Sequence, residues 1–163
     1  DTSIISRGSH CEDSINIINS EGQIRNIEIT NASQDGLDID FSNLTVDNVY
    51  VQNAGNDCID FSGSNITLFA IEVQSCGDKA ISVGEMTSLK IIETVINQSN
   101  SGIAVKDSSS VEVNKAIIND TNYCYLIYRK KQEFGPSRLL ISESKCESSS
   151  FFIEEGSYID VGK

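Results

Sequence analysis

Apolar residues recur along this chain at a spacing of 22. Stepping from Ile15 by that interval gives Ile15, Leu37, Ile59, Ile81, Ile103 and Tyr125, all apolar or aromatic. Two residues on, the series is Ile17, Ile39, Phe61, Val83, Val105 and Ile127. A second alternating pair follows each first one: Leu44/Val46, Ile66/Leu68, Leu89/Ile91, Val111/Val113 and Leu139/Ile141. A third reads Ile27/Ile29, Val49/Val51, Ile71/Val73, Ala116/Ile118 and, more weakly, Ser144/Cys146. Period-two alternation turns one face of a strand inward. Each repeat therefore predicts three short strands.

A repeat of this length fits a leucine-rich repeat or a three-sided β-helix. The first needs a helical side and an LxxLxLxxN frame. That frame is absent, and every side reads as strand. The predicted fold class is all-β: a right-handed parallel β-helix, a solenoid of about seven coils with a 22-residue period. Each coil buries about six apolar side chains at roughly 1.5–3 kcal/mol each. Stacking of neighbouring coils is what makes that burial possible.

Polar positions repeat as well. Asn31, Asn53, Ser75, Asn97 and Asn119 share the spacing, and so do Asn56, Asp78, Asn100 and Asn122. Such columns predict hydrogen-bonded ladders at the corners, where Asn tolerates left-handed backbone. The same columns generate sequon matches at Asn31, Asn43, Asn65, Asn97 and Asn119, which read as corner ladders rather than glycosylation signals. One coil breaks the period: Val111 and Leu139 lie 28 apart, and the extra residues fall in 129–136. An inserted loop on a solenoid maps to one face, often the binding face. Residues 1–163 read as a single β-helix domain. The repeat runs on without a capping helix, which predicts a longer parent chain or end-to-end association.

Charge narrows the partners. The net charge of -12 repels nucleic acid and anionic membrane surfaces and leaves cations or neutral, hydroxyl-rich polymers. No stretch approaches the roughly 18–20 apolar residues of a membrane span, and the first residues, DTSIISRGSH, lack the apolar run of a signal peptide. The five cysteines are odd in number and show no metal-type CxxC spacing, so they are expected to be mostly small buried thiols. Cys58 and Cys124 fall three coils apart in one column, roughly 14 Å by the strand spacing. That exceeds disulfide reach, about 7 Å between Cα atoms.

Three stretches carry a family likeness: Gly55-Asn-Asp-Cys-Ile-Asp-Phe-Ser-Gly-Ser64, Gly77-Asp-Lys-Ala-Ile-Ser-Val-Gly-Glu85 and Gly102-Ile-Ala-Val-Lys-Asp107. With the repeats around them, the chain resembles the pectate-lyase-like superfamily of right-handed β-helices. The likeness covers nearly all of the chain, from about Ser14 to Val161. It implies an extracellular or cell-surface protein associated with polysaccharide or oligosaccharide, and a β-helix module of a larger protein. It implies no particular reaction, because one fold hosts many functions.

Candidate chemistry lies on the outward columns of the strand that begins at Leu37. Adjacent coils lie about 4.8 Å apart and residues i and i+2 about 6.6 Å apart. Asp38, Asp40 and Asp60 therefore form one carboxylate cluster. Lys106, Glu85, Asp107 and Arg129 form a second, mixed one. Crowded carboxylates either raise a pKa or hold a cation, with Ca²⁺ the natural candidate; the metal candidates are Asp38, Asp40, Asp60, Glu85 and Asp107. Three functional classes follow. A carbohydrate-associated module would bind through Asp38, Asp60, Tyr128, Lys130 and Phe134, without a complete catalytic set. A polysaccharide lyase for a uronate polymer would hold Ca²⁺ through Glu85 and Asp107 and use Lys106 or Arg129 as base. A glycoside hydrolase would pair Asp38 with Asp60, at a spacing suited to retention. His10, the sole histidine, lies outside the regular coils.

Overall fold

Among the described residues, twelve strands account for the regular structure: β1 (Ser3–Arg7), β2 (Asp13–Ile18), β3 (Glu21–Ala32), β4 (Asp35–Asp40), β5 (Asn43–Ala54), β6 (Ile59–Ser62), β7 (Asn65–Gly84), β8 (Ser88–Lys106), β9 (Ser110–Tyr128), β10 (Arg138–Cys146), β11 (Phe151–Ile153) and β12 (Tyr158–Val161). A computed structural model describes residues 2–147 and 150–162. Among the described residues the strands pair in parallel, as a solenoid requires. The strands form three walls, and β7, β8 and β9 run unbroken around corners from one wall to the next.

The register follows the apolar columns. Leu37 pairs with Ile59, Ile59 with Ile81, Ile81 with Ile103, and Ile103 with Tyr125. All five are fully buried, as are Ile39, Phe61, Val83, Val105 and Ile127. The second wall stacks Leu44, Ile66, Leu89, Val111 and Leu139; the third stacks Ile27, Val49, Ile71, Thr94 and Ala116. Apolar side chains from three directions meet at the axis, so burial and coil stacking are one event.

Two corners demand left-handed backbone coil after coil. One holds Asn19, Phe41, Gly63, Glu85 and Asp107, all at positive φ. The other holds Asn31, Asn53, Ser75, Gln98 and Asp120. Amide ladders form there, with Asn53 Nδ2 donating to Asn31 Oδ1 at 3.0 Å and Asn119 Nδ2 to Asn97 Oδ1 at 2.8 Å. Asn122 likewise donates to Asn100 Oδ1 at 3.0 Å. One expected partner is wrong by a residue: Asn97 pairs with Gln74, and Ser75 instead meets Gln98. The cause is an extra residue at Met86, which makes Asn65 pair with Ser88 rather than with residue 87.

The thiol expectation is corrected for four of the five cysteines. Cys58 bonds Cys76, with Cα atoms 5.3 Å apart, and Cys124 bonds Cys146, with Cα atoms 6.2 Å apart. Each bridge crosses a corner and joins adjacent coils, a proximity that a search along columns does not reveal. Cys58 and Cys124 are not bonded to each other, in keeping with the register. Cys11 is a free, exposed cysteine. No helix among the described residues is long and apolar enough to cross a membrane.

Candidate functional site

The candidate face is the outer side of the wall built from β2, β4, β6, β11 and the ends of β7, β8 and β9. Alternation sends Leu37 and Ile39 inward, so Asp38 and Asp40 stand outward and half-buried between them. Asp38 pairs in register with Asp60, and Asp60 with Ser82. Burial, reinforced by the neighbouring charges of Asp40 and Asp60, pushes the Asp38 carboxyl up to about 7. Asp40 is raised for the same reasons, burial first and then Asp60.

Lys106 departs from its expected place. It lies on the outward column, yet it is buried. Its side chain folds down along the wall: Nζ donates to Ser82 Oγ at 2.7 Å and stands 3.9 Å from Asp60 Oδ1. A Cβ at residue 84 would meet Lys106 Cε at 3.5 Å, so Gly84 lies directly beneath the stem. The backbone separation between Lys106 and the acidic cluster is thus bridged by the side chain itself. Burial lowers the Lys106 pKa, while Asp60 works against that shift. A second lysine, Lys79, bonds Asp78 and sits 3.4 Å from buried Asp57. Neither Lys79 nor Asp57 was among the expected site residues. Their signal was Asp57 standing one coil from Lys79 at the start of the same wall.

The rest of the mixed cluster is engaged by the inserted loop. Asp107 is buried, and its Oδ1 accepts the backbone N–H groups of Lys130 and Lys131 at 2.7 and 2.8 Å. Glu85 pairs with the Lys131 ammonium. Arg129 turns toward Glu154, at 4.0 Å. Tyr128 is half-buried against the edge of Phe152, their ring centroids 6.5 Å apart. Phe134 is half-buried inside the loop, where its N–H donates to Lys131 O at 3.2 Å. The loop therefore lies against the wall rather than only bordering it. The structure brings Asp38, Asp40, Asp60 and Lys106 together, and it leaves Arg129, Lys130 and Phe134 to the loop.

The carboxylates expected to hold Ca²⁺ are Asp38, Asp40, Asp60, Glu85 and Asp107. Among the described residues no group of three or more His, Cys, Asp or Glu side chains is arranged to hold a metal ion. One oxygen of each of two candidates, Asp107 Oδ1 and Glu85 Oε1, already has a partner in the loop.

No curated protein and no solved structure gives a significant match to the chain. The family model described as the right-handed β-helix region matches residues 3–136. With parallel coils in register over that span, the chain belongs to the right-handed β-helix family.

Proposed function

We propose that the wall carrying Asp38, Asp60 and Lys106 is a carbohydrate-binding face, and that the chain is a module that binds or presents a hydroxyl-rich polysaccharide at the cell surface or outside the cell. The observation that carries this reading is the linked trio itself. A protonatable carboxyl at Asp38 stands beside Asp60, which lies 3.9 Å from the buried ammonium of Lys106, a lysine rooted two coils away. Such a row offers both hydrogen-bond acceptors and a donor at the roughly 4.8 Å spacing of stacked coils. A neutral polyol needs both, whereas a polyanion meets the net charge of -12. The test is to replace Asp38, Asp60 and Lys106 with Ala and titrate neutral oligosaccharides and Ca²⁺. Loss of oligosaccharide binding is expected. Unchanged binding, or none by the unmutated protein, returns the wall to ordinary solvated surface.

One observation favours a second reading, glycoside hydrolysis. Asp38, with its pKa near 7, is suited to give a proton to a leaving oxygen, and Asp60 is the carboxylate beside it. In that reading an Asp38→Asn variant loses reducing-sugar release while keeping oligosaccharide affinity. The lyase reading needs Glu85 and Asp107 on a cation, and their loop contacts argue against it. A uronate polymer assayed for unsaturated product checks it directly.

A further inference from the structure

We infer that Phe41 is the floor of a sugar-stacking subsite adjoining the Asp40 end of the face, completed by Met86 and the amides of Asn43 and Asn65. It rests on the carbohydrate reading of that face and extends it to a residue outside the acidic rows.

The argument starts from what Phe41 does not do. It occupies a corner that requires positive φ in every coil, at φ 49, in a column otherwise filled by Asn19, Gly63, Glu85 and Asp107. Left-handed backbone suits Gly, Asn and Asp and disfavours a bulky side chain. Nor does burial explain the ring, because Phe41 is 62% exposed. Backbone preference and core packing both argue against Phe here, which leaves the ring's own surface as its use.

The surroundings are shaped to that ring. A Cβ on Gly63 would lie 2.7 Å from Phe41 Cδ1 and 2.8 Å from Cε1, so only glycine lets the ring rest over the next coil. Met86, the extra residue of its coil, is 66% exposed and lines the same shallow recess. Beside it, Asn65 Nδ2 donates to Asn43 Oδ1 at 3.1 Å. That ladder leaves the Asn43 amide donor and the Asn65 carbonyl to meet a ligand's hydroxyls. An apolar ring next to paired amides matches a pyranose, whose C–H face is apolar and whose rim is hydroxylic. Asp40 immediately precedes Phe41, so one oligosaccharide can touch both the acidic rows and the ring.

The experiment titrates the chain with cellohexaose, xylohexaose and mannohexaose, by calorimetry and by NMR of the sugar ring protons. At least one hexaose is expected to bind with upfield shifts. Phe41→Asn, which suits left-handed backbone, is expected to weaken it tenfold or more and abolish those shifts. Phe41→Trp is expected to hold affinity within twofold. Binding by Phe41→Asn equal to that of the unmutated chain, with Asp38→Ala and Asp60→Ala still weakening it, overturns the subsite and leaves the face. Loss on Phe41→Asn with no effect of the Asp variants supports the subsite and removes the acidic rows. No binding of any hexaose overturns both.

Discussion

Lys106 Nζ stands 3.9 Å from Asp60 Oδ1, although their strand positions are two coils apart. The ammonium is bonded to Ser82 on the coil between them and is almost wholly buried. Removing it leaves Ser82 and Asp60 without their facing donor and opens space above Gly84. Lys106→Ala should cost roughly 1–3 kcal/mol in urea denaturation. Lys106→Met, which keeps the stem and loses only the charge, should cost less. Equal stability of Lys106→Ala and the unmutated chain would show that the contact contributes nothing.

Asp38 gives a pH dependence of definite sign. Its folded pKa, about 7, lies above the ordinary 3.8, so the folded state holds the proton more tightly than the unfolded one. The associated stability is complete below 3.8 and is lost as pH rises through about 7. Asp40 and Asp57 shift in the same direction. Asp38→Asn should therefore raise the melting temperature at pH 8 and raise it much less at pH 4.5. The gain at pH 8 should be on the order of 1–2 kcal/mol once solvent screening is allowed for. A gain that is larger at low pH contradicts this sign.

The inserted loop hangs on one carboxylate. Asp107 Oδ1 accepts both Lys130 N and Lys131 N, in a buried setting. Asp107→Ala removes that acceptor and should free the loop. Limited trypsinolysis should then cut after Arg129, Lys130 or Lys131 several times faster while the coils stay intact. An unchanged cleavage rate means that the Glu85–Lys131 pair and the Ser108–Gly135 hydrogen bonds hold the loop unaided.

The two disulfides close loops with sequence separations of 18 and 22. Loop-closure entropy assigns roughly 3 kcal/mol to each. Reduction should lower the melting temperature by several degrees. Replacing Cys124 and Cys146 with Ala should speed amide exchange in residues 138–146 more than in 37–61. Uniform acceleration along the stack would argue that neither bridge acts locally.

The conformation at Phe41 carries a stability cost. Phe41→Gly should stabilise the chain by about 1 kcal/mol, because glycine adopts left-handed backbone without penalty. Thermal melts of Phe41→Gly and Phe41→Asn measure it, and a drop in stability for both means that the ring packs on Gly63 more favourably than its exposure indicates.

The solenoid was legible because its inward columns are chemically uniform. Leu37, Ile59, Ile81 and Ile103 can only be apolar where three walls meet. The outer face was legible only in part. Asp38, Asp40 and Asp60 are short, so their strand positions place their carboxyl groups. Lys106 is long, and its column does not say which way it lies; the small residues Ser82 and Gly84 one coil below were the available sign. The bridges of Cys58 and Cys124 escaped because each crosses a corner: Cys58–Cys76 departs from the repeat spacing, and Cys146 registers with Ile118 rather than with Cys124 once the inserted loop is counted. Phe41 escaped because φ is not visible in a single residue and shows itself only when the corner column is read whole.

The extra residue at Met86 is matched by a shorter step further on: Cys76 pairs with Ser99, but Lys79 pairs with Ser101. In the language of crystals these are two dislocations of opposite sign, and their effects cancel around the coil. Two walls slip by one residue, while the third stays in phase, with Ile81 opposite Ile103 and Ser82 opposite Ala104. Changes of length elsewhere in a coil can thus be absorbed before they reach the acidic wall. The alignment that lets one lysine span two coils is insulated from growth and loss on the other two sides.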